Sequence, residues 1–110
     1  MPIITGLVPQ GTTKQQVETL RYLIRLALEE VGVPHNEVTV EPSEALFPEI
    51  LVFYYDTRND RLSQTDRPHD HSAEAKVVGE VIVAYFKMGV ELLLVEHDPK
   101  KSGLFINKNP

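Results

Sequence analysis

The chain contains no cysteine, which excludes disulfides, thiolate catalysis and cysteine-ligated zinc. Compartment stays open on that count. Basic residues are also scarce, 11 Lys and Arg against 16 Asp and Glu, for a formal charge of -5 and a pI near 5.3. That sign is wrong for a surface that collects phosphates by counterion release, so nucleic acid is not an expected partner. No window approaches the roughly 20 apolar residues of a membrane span. The Met1-Pro2-Ile3-Ile4 start carries neither a basic flank nor a long apolar stretch. No membrane partner is expected, and the reading is a soluble cytoplasmic protein. Neither a Gly-rich phosphate loop nor a Ser-His-Asp arrangement of recognisable spacing occurs, and no cofactor is expected.

What is present is a length of 110 residues, 42% hydrophobic and 25% charged, which suits one domain over residues 1–110. The 8 Pro and 6 Gly are spread along the chain rather than pooled, so neither a disordered tail nor a collagen-like repeat fits. Residues 2–8 are short, β-branched and closed by Pro9 and Gly11, which predicts a strand. Thr12 stands three residues before Gln15, the spacing of a capping box. Apolar residues then recur at Val17, Leu20, Ile24, Ala27, Leu28 and Val31 before Gly32, the pattern of one amphipathic helix. Residues 37–41 alternate as a half-buried strand, ended by Pro42.

Ile50-Leu51-Val52-Phe53-Tyr54 is nearly continuously apolar, as in a central strand covered on both faces, and 49–55 is the predicted span. Residues 56–72 hold one aliphatic residue, Leu62, and read as a long exposed loop. Ser72 or Asp70 can cap a second helix, with Glu74 favourable in its first turn. Val77, Val78, Val81, Ile82, Tyr85 and Met88 form its buried stripe, and Gly89 stops it. Residues 90–95 read as the last central strand, and Leu104-Phe105-Ile106 as a short edge strand.

The order is β-α-β twice, with a pseudo-repeat of 1–47 and 48–110: each half opens with a strand after a proline (Pro2, Pro48) and each helix ends at a glycine (Gly32, Gly89). The expected fold class is α+β, two β-α-β units forming a four-stranded mixed sheet with two helices on one face. The other face then lacks cover and predicts self-association. A ferredoxin-like sandwich uses the same element order, and periodicity does not separate the two topologies.

Pro2 after Met1, a strand, a helix opened by Gly11-Thr12-Thr13-Lys14-Gln15-Gln16-Val17-Glu18, then Gly32-Val33-Pro34-His35-Asn36-Glu37-Val38-Thr39-Val40 together resemble the tautomerase superfamily, which includes 4-oxalocrotonate tautomerase and macrophage migration inhibitory factor. Pro48-Glu49-Ile50-Leu51-Val52-Phe53 and the strand at 90–96 are most similar to a small bacterial branch of that superfamily whose function is unknown. The resemblance covers nearly the whole chain. It implies a homotrimer and, once Met1 is removed, a catalytic secondary amine at Pro2 that moves a proton between the enol and keto forms of a small carbonyl acid. Burial beside apolar groups would lower that amine's pKa by desolvation, so that it works as a base at neutral pH. The positions where the superfamily carries Arg or Lys hold Gly11, Val33 and Thr39 here, and the last strand offers Leu93 and Val95 in place of Tyr and Asn. Lys14, or Arg58 and Arg61 from the long loop, are the substitutes to hold a substrate carboxylate.

Bland readings stand beside these. Pro2 also suits the first position of any strand, where a missing N–H costs nothing. His69-Asp70-His71, with His35 and His97, invites a metal, but adjacent ligands lack the i, i+4 spacing that aims two imidazoles at one point, and no metal site is expected. Phe47, Phe53, Tyr54 and Tyr55 are read as core or interface before pocket. The second reading of function is a non-catalytic oligomeric binding or assembly module that keeps the fold and has lost the anion-holding residues.

Overall fold

The computed structural model describes residues 2–58 and 70–97. The elements run β1 (Ile3–Val8), α1 (Lys14–Glu30), β2 (Glu37–Pro42), β3 (Ile50–Arg58), α2 (His71–Phe86) and β4 (Gly89–His97). The four strands form one mixed sheet in the order β2-β1-β3-β4. β1 pairs parallel with β2, β3 parallel with β4, and the two units meet antiparallel between β1 and β3. A ferredoxin-like sandwich splits each β-α-β pair by inserting a strand between its members. Here each pair is adjacent, which decides the topology that periodicity left open.

Both helices lie on one face, because the side chains that alternate toward it are the apolar ones. Ile4 and Val8 of β1, Val38 of β2, and Leu51, Phe53 and Tyr55 of β3 are buried there against Leu20, Ile24 and Leu28 of α1 and Ala75, Val78 and Ile82 of α2. Each large member contributes roughly 1.5–3 kcal/mol by leaving water. The opposite face exposes Ile3, Leu7, Ile50, Tyr54 and Leu93.

The start of α1 is shifted by one residue from the sequence reading. Thr12 closes a turn, its amide and hydroxyl both donating to the Pro9 carbonyl (3.2 and 2.6 Å), with Gly11 at φ +84. Thr13 therefore becomes the cap. Its hydroxyl accepts from the Gln16 amide (3.1 Å) while its own amide donates to Gln16 Oε1 (2.8 Å), a complete capping box. α1 ends as expected, with Gly32 at φ +88 donating to the Glu29 carbonyl and Val33 to that of Leu28. α2 is capped by Asp70, whose carboxylate accepts from the Ala73 amide at 3.1 Å. Its C-terminal left-handed residue is Lys87 (φ 55); Gly89, read as the stop, instead begins β4.

β3 runs to Arg58, three residues into the segment read as loop, because Asp56 pairs with Ile3 and Thr57 turns into the core. β2 forms one edge, and Arg21 of α1 reaches over it to donate from Nε to the Val38 carbonyl at 2.9 Å. The expected strand at Leu104-Phe105-Ile106 lies outside the described residues. Among the described residues no helix is long and apolar enough to cross a membrane.

Candidate functional site

The N-terminal end of β1 meets the start of β2, the ends of β3 and β4, and the first turn of α2. Pro2 is buried there, and its carbonyl accepts from the Glu37 amide at 3.1 Å. Ile3 pairs with Glu37 on one side and Asp56 on the other. One step further along each ladder, Pro2 falls beside Asn36 and Thr57, and Thr57 is itself paired with Glu96. All four share the helix side of the sheet, since residues alternate in register with Ile4, Val38, Tyr55 and Leu94.

The result is a polar row across an otherwise apolar face. Of the buried polar or charged side chains among the described residues, Asn36 (9% exposed), Ser43, Thr57 (6%) and Glu74 (5%), three gather at this end. One row inward, the hydroxyl of Tyr55 donates to Glu74 Oε1 at 3.4 Å. Burial first, then the charge of Glu74 and its hydrogen bond to the phenol, push the Tyr55 ionisation well above the ordinary tyrosine range. Tyr55 thus stays a neutral donor. At the outer edge His71 Nδ1 lies 3.1 Å from Glu96 Oε1. Asn36 carries a buried Nδ2 with no hydrogen-bond partner, an uncommon state for a buried donor.

The residues proposed from sequence fall at different ends. Pro2 stands in the polar row. Lys14 opens α1, beyond the C-terminal end of β1, so within one chain it sits at the other end of the sheet from Pro2. Arg58 ends β3 at the Pro2 end, paired with His97. Arg61 and His69 lie outside the described residues. His71 pairs with Glu96, and among the described residues no group of three or more His, Asp or Glu is placed to hold a metal ion. Phe53 and Tyr55 are fully buried core, while Tyr54 and Phe47 are exposed.

Asn36 and Thr57 were not picked out from sequence, and Glu74 was read only as a favourable first-turn acid of α2, although each extends a buried periodicity by one step. Asn36 lies two before Val38, Thr57 two after Tyr55, and Glu74 four before Val78.

No family model matches the sequence, and no curated protein matches it. Solved structures do. The chain is similar to a fused 4-OT, the wild-type asymmetric trimer F6, with a TM-score of 0.69 and 13% identity over 93% of this chain and 91% of that one. It is similar to N1, a member of the cis-3-chloroacrylic acid dehalogenase family, with a TM-score of 0.64 and 11% identity over 94% of this chain and 80% of that one. It is also similar to a 5-carboxymethyl-2-hydroxymuconate isomerase from Deinococcus radiodurans R1, with a TM-score of 0.55 and 12% identity over 96% and 90%. The likeness is one of fold: the chain has the tautomerase-like β-α-β architecture that its sequence resembles.

Proposed function

We propose that, after removal of Met1, the chain acts as a tautomerase on a small carbonyl acid, with the secondary amine of Pro2 as general base. The observation that carries this reading is the burial of Pro2 between Asn36 and Thr57, on a fold shared with an isomerase and a fused 4-OT. A terminal imino nitrogen in these surroundings is poorly hydrated, which disfavours its ammonium form and leaves a lone pair near neutral pH. It would take the enol hydroxyl proton and deliver a proton to the adjacent carbon, giving the keto form. The hydroxyl of Thr57 is a hydrogen-bonding group suited to the oxygen on which charge develops.

The exposed apolar sheet face supports assembly into a homotrimer, as in the similar fused 4-OT. A neighbouring copy offers Lys14 a route to a Pro2 end that its own chain denies it. The second reading, a non-catalytic assembly module, rests on the same apolar face and on the distance of Lys14 from Pro2 within one chain.

Intact mass of the untagged chain should show loss of Met1. Ketonisation of phenylenolpyruvate should fall at least about a hundredfold in Pro2→Ala, the lower range for loss of a positioned base. Retained Met1, or equal rates for the two proteins, would leave the assembly module as the reading. Native mass measurements should find three chains; monomers or dimers would exclude the trimer.

A further inference from the structure

A small cavity opens on the side of Asn36 away from Pro2. It measures about 280 Å³, runs between α1 and the outer edge of β2, and is lined by Arg21, Arg25, Asn36, Glu37, Val38 and Thr39. α1 supplies the two arginines because they stand four residues apart, one above the other on the flank that overlooks β2. Arg21 is fixed in place by the Val38 carbonyl and by Glu18, whose carboxylate lies 2.8 Å from Nη1. Arg25 has no hydrogen-bond or ion-pair partner among the described residues. The unpaired, buried Nδ2 of Asn36 belongs to the same lining. The cavity therefore collects one free guanidinium, one immobilised guanidinium and one amide donor lacking an acceptor.

We propose that this cavity binds the carboxylate of a small organic acid. A guanidinium presents parallel N–H donors at the spacing of two carboxylate oxygens, and such charge-assisted pairs are stronger than neutral ones. Arg25 takes the carboxylate in this way, and Asn36 Nδ2 donates to the oxygen nearer the sheet. Glu37, on the same stretch of β2, adds a negative charge at the rim and opposes a dianion, so a monocarboxylate is preferred to phosphate. Adjacent strands lie about 4.8 Å apart, and the β1–β2 register sets Pro2 beside Asn36. An acid held beyond Asn36 therefore lies more than one strand spacing from Pro2, and the carboxylate site is separate from the Pro2 amine. This binding does not rest on the tautomerase reading.

The test is an NMR titration of the ¹⁵N-labelled full chain with pyruvate, its neutral methyl ester and inorganic phosphate. Pyruvate should shift the Asn36 side-chain amide and the Arg25 Nε signal saturably, and the ester should not. Arg25→Gln, a substitution on an exposed helix position, should weaken binding about tenfold or more, Arg25→Lys should restore part of it, and Lys76→Gln should leave it unchanged. Equal response to the ester, phosphate binding as tight as pyruvate, or wild-type binding by Arg25→Gln overturns the site. Pro2→Ala should still bind pyruvate. Pyruvate binding without ketonisation of an enol sinks the tautomerase reading and leaves the carboxylate site standing. Ketonisation without a saturable pyruvate shift of the Asn36 and Arg25 signals does the reverse.

Discussion

Gly6 sits at the centre of β1, paired with Phe53 across the antiparallel junction of the two units. A Cβ built on Gly6 would land on the Phe53 ring, 2.7 Å from Cε2 and closer still to Cδ2 and Cγ. The ring is fully buried and cannot swing into solvent. Gly6→Ala therefore forces β1 and β3 apart or the ring off its rotamer, an overpacking that costs typically 1–3 kcal/mol. Alanine recovers roughly 0.5 kcal/mol of strand entropy over glycine, which leaves a net loss of about 0.5–2.5 kcal/mol. For a chain of this size that lowers Tm by about 2–20 °C, readable by circular dichroism or calorimetry. The mechanism is specific, so the cost must depend on the ring: in Phe53→Leu, adding Gly6→Ala should cost at least about 1 kcal/mol less than in the wild type. An unchanged Tm in Gly6→Ala, or effects of the two substitutions that simply add, would refute the reasoning.

Lys87 holds a left-handed backbone (φ 55) that glycine adopts without penalty, so Lys87→Gly should raise stability by roughly 0.5–1 kcal/mol in urea unfolding; a loss would show that the conformation is not strained. The neutral Tyr55 phenol makes stability sensitive to alkali. Its folded ionisation lies above the unfolded one near pH 10, so above that point the unfolded chain releases a proton the folded chain keeps, and stability declines as pH rises. It is fully present below pH 10, and Tyr55→Phe should flatten the decline between pH 9 and 11; identical slopes for the two proteins would contradict the buried donor.

Much of this architecture is legible in the residues. The apolar stripes of the helices name much of the core, since burial and periodicity are the same fact seen twice, whereas the run Ile50 to Tyr54, read as covered on both faces, buries Leu51 and Phe53 and leaves Ile50 and Tyr54 exposed because the helices cover one face only. Local competition is harder to see. Thr12 and Thr13 are chemically equal caps, and only the turn from Pro9 decides between them. Gly89 is the obvious stop for α2, yet the chain reverses at Lys87. Of the positions at the candidate site, the sequence reading named Pro2 and Arg58. Asn36, Thr57 and Glu74 are single polar residues at the ends of apolar patterns, and what unites them is strand register, which no local spacing encodes. Arg21 and Arg25 look like ordinary solvated helix positions until β2 is placed beneath them.

The rim formed by β2 is partly obstructed. The amides of Glu37 and Ser43 turn inward to β1, so the outward-directed groups belong to Val38, Val40 and Pro42. The first has its carbonyl occupied by Arg21, and the last has no amide hydrogen to offer. Two of the six outward-directed backbone groups are thus withdrawn, and an incoming polypeptide meets an interrupted ladder. A strand laid along this flank gains fewer bonds per residue than one laid on an uninterrupted edge, which weakens lateral growth of the sheet there.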